Sequence, residues 1–91
     1  MATNFTNRKA SQSLMGQAVI VTLDSTDAGN LELLAIGQLA TNQSSGKTGT
    51  IASVDYYGTS FKINPIQPDK NFSSLSTYGY LANGEVVIVN T

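Results

Sequence analysis

Residues 46–66 read GKTGTIASVDYYGTSFKINPI, and the rest of the chain is organised around them. Gly46 and Gly49 bracket Lys47 and Thr48, and a run through Thr50, Ile51, Val54, Tyr56 and Tyr57 follows. Gly58-Thr59 interrupts the run, which resumes through Phe61, Lys62 and Ile63 until Pro65 and Pro68 stop it. β-branched and aromatic residues suit a pleated, half-buried surface, and two such runs separated by a glycine-containing break read as a β-hairpin. A hairpin alone is marginal in water, so other strands must cover its apolar face.

Those strands are found on both sides of it. Residues 17–23, QAVIVTL, alternate with Val19, Val21 and Leu23 on one face and Ala18, Ile20 and Thr22 on the other. DSTDAGN (24–30) is a dense turn signal. LELLAIGQLAT (31–41) carries two readings: Glu32 to Ala35 favour a helix, whereas Gly37 and the flanking strands favour a strand. The strand is taken here, because residues 17–23 need a partner close in sequence. NQSSGKTG (42–49) reads as a loop.

Along 50–57 neither face is purely apolar, which fits a strand that bends or bulges. Along 59–66, Phe61 and Ile63 face the core while Lys62 and Asn64 face out. Residues 65–79 read as a long surface loop pinned by Phe72 and Leu75. Asn83-Gly84 is a turn signal, and EVVIVN (85–90) is a closing strand, apolar on both faces and so placed centrally or covered by another subunit. The expected fold is all-β: five or six short strands forming a single small β-barrel or sandwich over residues 17–91. Residues 1–16 are polar, with Phe5, Leu14 and Met15 isolated among them, and read as an extended N-terminal arm without a core of its own.

Composition narrows the function classes. A chain of 91 residues is one domain that buries roughly 60–65% of its unfolded surface, and without cysteine no disulfide reinforces it. Charged residues make up 12%, half the usual share of about a quarter, so Ser, Thr, Asn and Gln fill the surface. Such a surface suits close contact with other proteins. The net charge of −1, with only Arg8 and Lys9 adjacent among the basic residues, argues against nucleic-acid binding. No apolar run approaches the roughly 20 residues that cross a membrane, and the N-terminus lacks the order of a signal peptide. Synthesis in the cytoplasm is the expectation.

No catalytic chemistry is legible. The absence of histidine and cysteine removes Ser-His-Asp and Cys-His arrangements and the usual zinc sets. Asp24 and Asp27 share a turn and read as solvated carboxylates. Gly46-Lys47-Thr48 is no phosphate loop, because position 41 is Thr where the motif needs Gly, and a strand follows where it needs a helix. No enzyme, cofactor, metal or small-molecule substrate is expected.

Two resemblances add to this reading. Gly46, Gly49, Ile51 and Val54 resemble the KOW-type pattern of SH3-like barrels, in which a glycine turn leads into a strand, a short loop and a second strand. This resemblance implies an SH3-like geometry and, as an alternative function, a module binding RNA or a ribonucleoprotein. The whole chain, with its polar arm, cysteine-free β-domain, hydroxyl- and amide-rich surface and terminal NGEVVIVNT, is similar in style to the small auxiliary or decoration proteins of tailed-phage capsids. That likeness implies a virion structural protein, located in the capsid, that binds between major capsid subunits and neighbouring copies of itself and stabilises the shell. It also implies that the arm docks, so that deleting residues 2–13 leaves the domain folded but abolishes particle binding. The candidate partner-binding residues are Phe5, Arg8, Lys9, Leu14, Met15, Tyr57 and Tyr78. Tyr56, Tyr57, Tyr78 and Tyr80 are divided between a contact patch and the core.

Overall fold

The computed structural model describes residues 1–11, 18–65 and 81–91. Strand β5 (Ser60–Pro65) shows the expected alternation, with Phe61 and Ile63 buried and Lys62 and Asn64 exposed. It pairs antiparallel with β4 (Thr48–Asp55) on one side and with β2 (Val19–Thr22) on the other. On β2 the inward residues are Val19 and Val21, continued by Leu23, and Ile20 points out.

The mixed faces of residues 50–57 resolve as a β-bulge. Ile51 pairs with Ile63 but Ser53 pairs with Lys62, so Ala52 is the extra residue. The bulge reverses the parity of the strand, and Ile51 and Val54 both meet the core despite their odd spacing. The tight approach of β4 to β5 needs glycine at position 49. A β-carbon there would collide with Ile63 Cγ2 and the Asn64 carbonyl.

The remaining strands are β1 (Ala2–Thr6), β3 (Leu39–Asn42) and β6 (Val86–Asn90), and the sheet order is β1-β6-β3-β4-β5-β2. β6 lies between β1 and β3, with Val87 and Val89 fully buried, which accounts for its central apolar character. The fold is all-β, with the described residues forming one antiparallel sheet of six strands.

Three expectations change. Among the described residues the sheet does not close into a barrel: β1 and β2 lie at its two ends. Residues 2–6 are strand β1 of the sheet, where an extended arm was expected. Phe5 is fully buried and meets Phe61 edge-on, with ring centroids 5.2 Å apart. Burial of an aromatic ring, plus an edge-to-face pair worth about 0.5–1.5 kcal/mol, outweighs the ordering cost that polar composition alone implies. Deleting residues 2–13 therefore removes core as well as surface.

Third, residues 31–41 are not one strand. A 3-10 turn over Gly29–Leu33 buries Leu31, a turn follows, and β3 begins only at Leu39. Gln38 explains the split, because its side chain accepts from Ala35 N–H (2.8 Å) and donates to Leu33 C=O (3.2 Å). The turn signal at 24–30 becomes a single helical turn, α1 (Ser25–Ala28), capped by Asp24, and the loop expected over 65–79 lies outside the described residues beyond Pro65.

A side chain bridges the open edges. Asn7 is fully buried just past β1, and its Oδ1 accepts from Thr22 N–H at the end of β2 (3.1 Å). Its Nδ2 donates to the carbonyls of Lys9, Leu81 (3.3 Å) and Ala82 (3.0 Å). Its backbone N–H donates to Glu85 C=O (2.8 Å) and its C=O accepts from Gly84 N–H (2.6 Å), while Arg8 N–H donates to Thr22 C=O (2.7 Å). Asn7 thus joins three segments far apart in sequence.

Candidate interaction surface

The β4–β5 hairpin ends in a four-residue loop, Tyr56-Tyr57-Gly58-Thr59, between the paired residues Asp55 and Ser60. Asp55 holds the loop by an Asx turn: its Oδ1 accepts from Tyr57 N–H (3.1 Å) and Gly58 N–H (2.9 Å). A β-carbon on Gly58 would collide with that carboxylate. Thr59 closes the loop at φ 51°, a left-handed conformation that costs a β-branched residue on the order of 1 kcal/mol or more. Its C=O accepts from Leu23 N–H (2.9 Å) and its hydroxyl donates to Gly58 C=O (2.8 Å), tying the tip to the end of β2.

This framework leaves the aromatic rings outside. Tyr57 is fully exposed and Tyr56 is 57% exposed. A rigid backbone carrying exposed tyrosines presents contact area at little conformational cost, since each has few rotatable bonds to fix on binding.

A second exposed apolar group rides on the same strand. Ile36 is 76% exposed, with Leu33 and Leu39 partly exposed beside it in sequence. Its turn is pinned to β4: Gly37 N–H donates to Ile51 C=O (2.9 Å) and Ile51 N–H donates to Gln38 C=O (2.9 Å). The two groups are thus anchored to β4 at Ile51 and Asp55, about 10 Å apart as counted along the partner strand from Ile63 to Ser60.

The other sequence candidates fall elsewhere. Phe5 lies in the core and has no surface for a partner while β1 stays paired. Arg8 Nε meets Asp24 Oδ2 at 3.1 Å, a half-exposed pair that solvent screens and that adds little to stability. Lys9 is exposed near the Asn7 junction. Leu14, Met15 and Tyr78 lie outside the described residues, as does Tyr80. Of the named candidates, Tyr57 alone joins this surface; Tyr56 accompanies it, and Ile36 and the pinning residue Asp55 were not singled out. The Asp-x-x-Gly spacing was the legible signal for the pinned turn.

The carboxylates of the α1 turn are engaged by protein groups. Partial desolvation pushes Asp24 up, but hydrogen bonds from Thr26 and Asp27 N–H and the Arg8 guanidinium outweigh it and hold its carboxyl below the usual range. Asp27 Oδ2 accepts from Thr6 N–H (2.9 Å), docking α1 against β1. Among the described residues no group of three or more acidic side chains is placed to hold a metal, and no helix is long and apolar enough to cross a membrane. No protein-family profile matches the chain, and neither a characterised protein nor a solved structure matches it.

Proposed function

We propose that this protein is a structural binding module that attaches to other protein subunits through the β4 surface, as an auxiliary protein of a viral capsid does. The observation that carries the reading is Tyr57: fully exposed, beside a half-exposed Tyr56, on a turn fixed by Asp55 and Leu23. Few charges and a surface rich in hydroxyl and amide groups support contact with protein. In this reading residues 2–6 serve the sheet as strand β1, paired with β6, and the docking role passes from them to the β4 surface. Repetition over many equivalent sites turns a modest single-site affinity into lasting attachment.

The test is density-gradient fractionation of producing cells, with mass spectrometry of each band. Recovery with capsid-sized particles, in copy number comparable to the major shell protein, is the expected result. Recovery with ribosomes or polymerase would overturn it in favour of the RNA-directed reading of the SH3-like resemblance. A monomer at the top of the gradient would overturn it as well.

A further inference from the structure

The turn at residues 82–85 holds the chain's single Asn-Gly pair. Asn83 is exposed, and Gly84 has φ 91° at the third position of a turn closed by Glu85 N–H donating to Ala82 C=O (3.2 Å). Asn83 itself keeps a negative φ, so the turn is of type II, the form that asks for glycine there.

Asn-Gly in an exposed turn is chemically reactive. The Gly84 amide nitrogen attacks the Asn83 side-chain carbonyl carbon and forms a five-membered succinimide. The Cγ–N bond breaks, and ammonia leaves with the proton lost from the attacking nitrogen. Water then opens the ring to aspartate or isoaspartate. Glycine at the second position favours the step because no side chain blocks the approach.

In the folded protein the nucleophile is occupied. Gly84 N–H donates to Asn7 C=O at 2.6 Å, and Asn7 is the fully buried residue that links β1, β2 and residues 81–85. We propose that Asn83 is a self-modification site gated by this junction, slow while Asn7 is seated and fast once β1 is released. The change runs one way. Isoaspartate inserts a carbon into the main chain where Gly84 must reach Asn7, and either product places a new carboxylate two residues from Glu85, which accepts from Ala82 N–H (2.6 Å). Modified molecules therefore fail to reseat β1, and Asn83 records past opening.

The test incubates the protein at mildly alkaline pH across a urea series and follows residue 83 by peptide mass spectrometry. The expected result is a rate that rises by about tenfold or more between the native and unfolded plateaus, equivalent to about 1.4 kcal/mol or more of protection. Asn7→Ala, read without urea, should move the folded rate toward the unfolded one. Equal rates in native and unfolded protein would overturn the gating, and an unmodified Asn83 in the unfolded chain would overturn the site itself.

Discussion

Asn7 and Tyr57 occupy opposite extremes of this molecule. Both side-chain ends of Asn7 are engaged by backbone groups from three segments, in full burial. Tyr57 leaves its ring in solvent while its own backbone is held firmly. The junction spends a side chain on the fold, and the hairpin tip spends backbone bonds on displaying a side chain. On the proposed reading, the contrast separates what stabilises the protein from what it offers to a partner.

The predictions probe that division, beginning inside. Phe5→Ala should cost about 3–5 kcal/mol in urea unfolding, because the ring lies in the core against Phe61. A loss under 1 kcal/mol would mean that β1 is dispensable and would return residues 1–16 to the status of an arm. Asn7→Ala should cost about 1–3 kcal/mol, since it takes the Oδ1 acceptor from Thr22 N–H inside the core and leaves the Leu81 and Ala82 carbonyls with only their backbone donors, Ser11 and Glu85. Amide exchange at Thr22 should rise in the same variant. Gly49→Ala should cost about 1–3 kcal/mol, as β4 shifts away from Ile63 and Asn64.

The smallest effect concerns acid. Asp24 has a lowered carboxyl pKa in the folded state, so its contribution is present above the unfolded value near 3.8 and is lost as pH falls through the folded value. Replacing it with Asn should flatten this part of the acid limb of stability and leave neutral pH little changed, because Asn also caps helices.

Much of the fold was legible in the sequence, and the exceptions have physical causes. Residues 19–23 and 61–64 follow the period of a strand, and the contradictory faces of residues 50–55 announced a bulge. β1 was hidden because Phe5 is a lone apolar residue among polar neighbours, and one residue sets no period. Its place depends on Val87 and Phe61, more than fifty residues away. The Asn7 junction was hidden for the same reason, since it is made of long-range bonds that leave no local trace. Within residues 31–41, helix formers, a glycine and β-branched residues gave competing signals, which the Gln38 side chain resolves. At the candidate surface Tyr57 was legible as an exposed aromatic. That it sits in a turn was not expected, because local aromatic propensity favours a strand and the Asp55 hydrogen bonds override it.

The most direct test is Tyr57→Ala compared with the unaltered protein on the same density gradient, with the unfolding midpoint measured on the recovered material. Loss from the particle fraction with stability unchanged within about 0.5 kcal/mol is the predicted result. Retention on the particles, or a fall in stability as large as that of Asn7→Ala, would contradict the division between a sealed junction and a displayed tip.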